Sequence, residues 1–222
     1  MESSAEQPLI YIYKKLYAFF GPQKWWPART RFEVIIGAIL TQNTAWANVE
    51  KAIRNLRRSG ILSGPAAFKG VSKKRLAALI TPAGYYNIKA GRLENFVEFL
   101  FSKYGGSLSR LSGQDIDKLR YELLSVNGIG PETCDSILLY AFKKAVFVVD
   151  AYTRRIFSRH KFFEEDAAYD EIQNFFMKNL SKDARLYNEY HALIVRLGKE
   201  FCRKNADCKR CPLNPSTRLT RH

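Results

Sequence analysis

An all-α fold, divided into two helical subdomains, is predicted by three features of this 222-residue chain. Apolar residues recur at helical spacing along almost its whole length. Strand signals are nearly absent. The joints between periodic segments, such as "TPAGYY", "YGGSLSRLSGQ" and "NGIG", carry the Gly, Pro and Ser expected between helices.

The elements follow in order. A first helix is expected over 9–20, on "LIYIYKKLYAFF", where two lysines and the lack of a small-residue cleavage site argue against a secretion signal. Helices over 32–40 and 45–58 flank "TQNT", and helices over 73–80 and 88–103 flank "TPAGYYN". The helix over 114–125 places Ile116, Leu119, Leu123 and Leu124 on one face. After the tight turn Asn127-Gly128-Ile129-Gly130, a helix over 131–142 opens on Pro131, whose missing N–H costs nothing at a first helical position. "AVFVVD", at 145–150, is the best β-like run, but it is short and isolated and is read as a buried connector. Helices over 151–160, 169–179 and 184–201 complete the chain. Short connections favour a compact bundle. A central domain over 30–145 and a second domain joining 1–29 to 146–222 are expected.

The charge balance narrows the partner. The 36 Lys and Arg against 21 Asp and Glu give a net charge of +15, which points to a polyanion and above all to nucleic acid. No apolar run approaches the length that spans a bilayer. The four cysteines, three of them close to the C-terminus, do not make a disulfide scaffold. A reduced, cytoplasmic protein associated with the nucleoid and with no membrane partner is therefore expected. Two basic clusters, Arg154, Arg155, Arg159 and Lys161, and Lys199, Arg203, Lys204, Lys209 and Arg210, are candidates for tracking phosphate.

The hairpin at about 115–142 supplies a candidate binding element. Glycines in its turn permit backbone conformations in which a Cβ would clash, and they leave amides open to an anion. Such a turn can hold a nucleic-acid phosphate, or it can simply staple a core. Twenty residues beyond Gly130, Asp150 closes "VFVVD". It can cap the following helix, and a capping carboxylate is also rigidly held for chemistry.

"VNGIGPETCDSILLYAF" followed by "VFVVDAYTRRIF" resembles the helix-hairpin-helix and catalytic Asp of the endonuclease III superfamily of DNA glycosylases. "FEVIIGAILTQNT", "AGYYNIKAGRLENF" and "FCRKNADCKRCPL" are similar to further stretches of that family, in the same order. The resemblance implies two helical subdomains flanking a DNA-binding cleft. It implies Asp150 as the catalytic carboxylate and Gln42 as the side chain that fills the gap left by a flipped base. Asn127, Gly128, Ile129 and Gly130 would contact DNA, with Arg154 and Arg155 beside them. The backbone carbonyls of Leu124, Val126 and Ile129 would hold a monovalent cation.

Three departures refine the expectation. Glu132 stands where bifunctional members carry the lysine that forms a Schiff base, and a carboxylate cannot do that chemistry. Trp25, Trp26 and Pro27, with Trp46 after "TQNT", resemble the base pocket of the bacterial 3-methyladenine glycosylases of the endonuclease III type. Cationic methylated purines stack well on such rings. Cys202, Cys208 and Cys211 resemble three ligands of the family's [4Fe-4S] loop, but the fourth position falls at Thr217. Three thiolates with another ligand, a zinc shared with His222, and a metal-free loop all remain open at this point. The sequence thus predicts a monomeric, monofunctional glycosylase that releases alkylated purines such as 3-methyladenine from damaged double-stranded DNA. A mismatch or oxidised-pyrimidine glycosylase and a non-catalytic DNA-structure binder are the alternatives.

Overall fold

A computed structural model describes residues 6–214. Among them there are helices and no strands. No described helix is long and apolar enough to cross a membrane. The helices are α1 (Glu6–Phe20), α2 (Arg31–Leu40), α3 (Trp46–Arg58), α4 (Pro65–Lys69), α5 (Lys73–Leu79), α6 (Tyr86–Tyr104), α7 (Leu108–Ser112), α8 (Ile116–Leu124), α9 (Pro131–Ser136), α10 (Ala151–Arg159), α11 (Tyr169–Asn179) and α12 (Ala184–Glu200). Contacts divide the chain into two units, Ala28–Lys144 and a second that runs to Pro27 and resumes at Ala145.

In the unit Ala28–Lys144, α2 is the central rod. Only Arg31 of its ten residues is exposed, because "FEVIIGAIL" is apolar all round apart from Glu33. Buried Glu33 is matched by Arg57 of α3, 2.6 Å away. Leu93, Phe96 and Leu100 of α6 and Leu119 and Leu123 of α8 belong to the same core. The hairpin α8–α9 is tied by Arg120, whose Nε and Nη2 donate to the two oxygens of fully buried Asp135 at 2.9 and 3.2 Å. Such a two-pronged pair fixes geometry as well as offsetting the charge. Beyond Ser136 the helix widens into a π-helical stretch, Ile137–Ala141, where one unbroken α-helix was expected.

The second unit packs α1, α10, α11 and α12 around aromatic rings. Phe147 and Phe176 stack with centroids 4.1 Å apart, and Tyr187 and Tyr190 meet Phe147 edge-on. Val146 to Val149 are all buried, as expected for a connector. Their β-like composition produces no strand because side chains take the place of a partner strand. Gln173 Nε2 donates to the Phe147 carbonyl at 2.7 Å, and the Val149 N–H donates to the Tyr169 hydroxyl at 3.4 Å.

Candidate active site

The hairpin is built from local rules. Asp115 caps α8 by accepting from the Asp117 and Lys118 amides. The turn closes with Val126 N–H to Leu123 O and Ile129 N–H to Val126 O, and Ile129 is buried as its anchor. Gly128 alone in the turn has a left-handed φ, +94°. Gly130 is extended, and a Cβ there would meet nothing within 4 Å. Its lack of a side chain leaves the exposed start of α9 uncovered. Glu132 is exposed in that first turn, where the helix dipole favours an acid.

Gln42 stands just past the end of α2 and is docked on this turn. Its Nε2 donates to Gly128 O and Thr133 Oγ1, both at 2.9 Å, and Arg92 of α6 donates to its Oε1. Asn95, one turn along α6, donates to Asn127 O at 2.9 Å. The carboxamide expected as a wedge is therefore held against the hairpin, and filling a base stack requires it to leave these partners. Arg92 and Asn95 had no signal in the sequence beyond their place in a helical period.

Lys89 was quoted within a motif without a role. It is 1% exposed, and its Nζ donates to Leu40 O and Ala83 O at 2.8 Å and to Thr44 Oγ1 at 2.5 Å. Burial, with the charge of Arg92, lowers its pKa to about 8. It fastens the end of α2 to the segment before α6. That segment presents Tyr85, 68% exposed and with φ +45°, together with exposed Tyr86 and Ile88. Trp46 is half-buried at the start of α3, its Nε1 donating to Glu50 Oε1 at 2.9 Å.

In the second unit Trp25 and Trp26 sit together, both half-buried, with ring centroids 5.4 Å apart and planes at 64°. Adjacent residues of a regular element point apart; these two share one site. Their peptide bond is cis, and Pro27 is exposed. The Lys199 ammonium lies 5.8 Å from the Trp25 ring.

Asp150 caps α10, with Oδ1 accepting from the Thr153 amide at 2.7 Å and the Thr153 hydroxyl at 2.9 Å. Thr153 thereby fills the position where a Glu or Gln would complete a capping box. Oδ2 lies 3.6 Å from His191 Nε2 of α12. Beside Asp150, the Tyr152 ring rests against Gly198, where a Cβ would come within 2.2 Å of Tyr152 Cδ1 and 2.9 Å of its Cβ. Gly198→Ala must push α10 and α12 apart and is expected to lower stability by about 1–3 kcal/mol in urea denaturation, as overpacking does.

The basic residues after Asp150 are not simply turned to solvent. Arg154 donates to the Ala167 carbonyl, and Arg155 donates to Cys202 O at 2.8 Å and Gly198 O at 3.3 Å. Expected on DNA, both direct guanidinium donors to the protein's own backbone. Arg159 donates to Arg203 O, Lys204 O and the Cys202 sulfur. Helix α10 thus clamps the cysteine loop.

The thiols do not form a ligand set. Cys202 is buried with its sulfur on Arg159, Cys208 is exposed, and Cys211 Sγ accepts the Leu213 N–H at 3.4 Å. Burial pushes the Cys211 thiol upward in pKa, and the neighbouring Cys202 and Cys208 add to it. Among the described residues no group of three His, Cys, Asp or Glu is placed to hold a metal ion. The three described thiols do not by themselves make a metal-ligand set, and Thr217 and His222 lie outside the described residues. Of the three carbonyls expected to hold a monovalent cation, those of Leu124, Val126 and Ile129, the Val126 oxygen accepts the Ile129 N–H. That bond serves the turn, but a carbonyl oxygen has a second lone pair.

Comparisons with known proteins find chains similar to this one. Residues 36–182 match the model of the HhH-GPD superfamily of base excision DNA repair proteins. A Methanocaldococcus jannaschii protein, provisionally assigned as a DNA repair glycosylase, is 51% identical over 215 residues, 96% of this chain and 97% of its own. The H. pylori 3-methyladenine DNA glycosylase MagIII, solved with bound 1,N6-ethenoadenine, superposes with a TM-score of 0.77 at 31% identity, covering 86% of this chain and 97% of that one. An endonuclease III bound to DNA gives 0.81 at 24% identity, over 99% and 97% of the two chains, and supports the fold.

Proposed function

Because this chain belongs to the HhH-GPD superfamily of base excision DNA repair proteins, whose relatives include DNA glycosylases, we propose that it is a monofunctional glycosylase releasing alkylated purines from double-stranded DNA. The observation that carries this reading is that Asp150 is a rigidly held carboxylate, while Glu132 stands in the sequence where bifunctional members have a lysine. Asp150 would stabilise the cationic sugar that forms as the N-glycosidic bond breaks, or orient the attacking water. The products are the free base and an intact strand with an abasic site. Lys89, the lysine whose pKa burial lowers, offers no route to a Schiff base, since its Nζ is enclosed by three acceptors.

Purines with an added alkyl group are supported by the Trp25–Trp26 pair and by the ethenoadenine bound to the H. pylori relative. The protein would act as a monomer, with the hairpin amides, and a monovalent cation on the Leu124, Val126 and Ile129 carbonyls, meeting phosphate. The deciding experiment incubates methylated duplex DNA with the protein, with and without borohydride. Release of 3-methyladenine without strand cleavage or a trapped adduct is expected. An adduct would refute the monofunctional assignment, and release of oxidised pyrimidines alone would refute the substrate.

A further inference from the structure

We propose that His191 is a positioning residue for Asp150, holding the carboxylate for catalysis while neutral and silencing it when protonated. This rests on the reading of Asp150 as the catalytic carboxylate. Two elements grip that side chain from opposite sides. Thr153 fixes Oδ1 with two hydrogen bonds from within α10, and His191 of α12 faces Oδ2 at 3.6 Å. The imidazole is 5% exposed, and α10 and α12 pack directly together. A carboxylate with one oxygen bonded and the other backed by a buried ring cannot rotate freely, so its charge is aimed before substrate arrives.

The imidazole's own state then matters. The charged groups acting on it are Asp150, which favours protonation, and Lys199, two turns along α12, which opposes it; burial opposes it more strongly than either. Below the imidazole pKa, an imidazolium 3.6 Å from Oδ2 forms an ion pair and cancels the negative charge that a developing sugar cation requires. Protonation of His191 therefore shapes the acid limb of base release.

The test has two arms, both on the full chain. The first follows the imidazole resonances by NMR as pH is lowered. The chain has three histidines, so His191 is assigned by its loss in His191→Gln. Its pKa should fall in Asp150→Asn, where the favourable charge is gone. The second measures single-turnover base release against pH. Wild type should lose activity in step with the His191 titration. His191→Gln, which replaces the buried ring with a flexible side chain that does not titrate, should be about 10- to 100-fold slower at neutral pH through loss of aim, with its acid limb moved to lower pH. An imidazole pKa unchanged by Asp150→Asn, or an acid limb unchanged by His191→Gln, would overturn the proposal. If wild type releases no base from any lesion, the glycosylase reading fails, while the NMR arm still decides whether the pair exists.

Discussion

Asp150→Asn is expected to slow base release by about 10²–10³-fold, the size of effect seen when one preorganised electrostatic group is removed from a transition state. The substitution separates chemistry from architecture. Asn is as good a helix cap as Asp, so its Oδ1 can still accept from the Thr153 amide and hydroxyl and α10 keeps its start. What disappears is the negative charge. Asp150→Ala removes the cap as well and should lower stability by a further ~1 kcal/mol. The measurement is single-turnover release from methylated DNA beside thermal melts of both variants. A fully active Asp150→Asn protein would leave the carboxylate as a helix cap alone and remove the centre of the proposed mechanism.

The long helices could be read from sequence because each carries two or more turns of apolar period, and α11 has the expected bounds. The short ones could not. Pro65–Lys69 and Leu108–Ser112 span little more than one turn, so they show caps and proline but no period. The same limit governed the site. Asp150, the hairpin and the tryptophans are local signals that a sequence displays directly. The partners that give them meaning lie far away along the chain, with His191 41 residues from Asp150 and Arg92 50 from Gln42. Charge is a guide to the kind of partner and a poor guide to which residues meet it. Arg154, Arg155 and Arg159 look like a phosphate-tracking face, yet their donors reach carbonyls on neighbouring loops. A count of positive residues says nothing of which already have acceptors within the fold.

Gly128→Ala is expected to reduce stability by about 2–4 kcal/mol and to weaken DNA binding, because two penalties coincide at one atom. At φ +94° a Cβ is strained whatever surrounds it. Here it would also come within 2.2 Å of Arg92 Cγ and 3.1 Å of Arg92 Cβ, the root of that side chain rather than its mobile end. Arg92 must therefore swing away, withdrawing its donor from Gln42 Oε1, and the Gly128 carbonyl that receives Gln42 Nε2 shifts with the turn. One methyl group thus unlatches Gln42 and deforms the proposed phosphate clamp together. Arg92→Ala removes the colliding atoms beyond Cβ. In the double variant the steric part of the loss should be recovered, while the backbone strain and the missing hydrogen bond persist. The cycle of Gly128→Ala and Arg92→Ala should show a favourable coupling of at least ~1 kcal/mol in urea denaturation, well outside the range of independent sites. DNA affinity by fluorescence anisotropy should fall for Gly128→Ala and recover only in part for the double variant. Strict additivity of the two substitutions would mean that Arg92 does not pack on the turn, and that Gln42 is not latched to the hairpin through it.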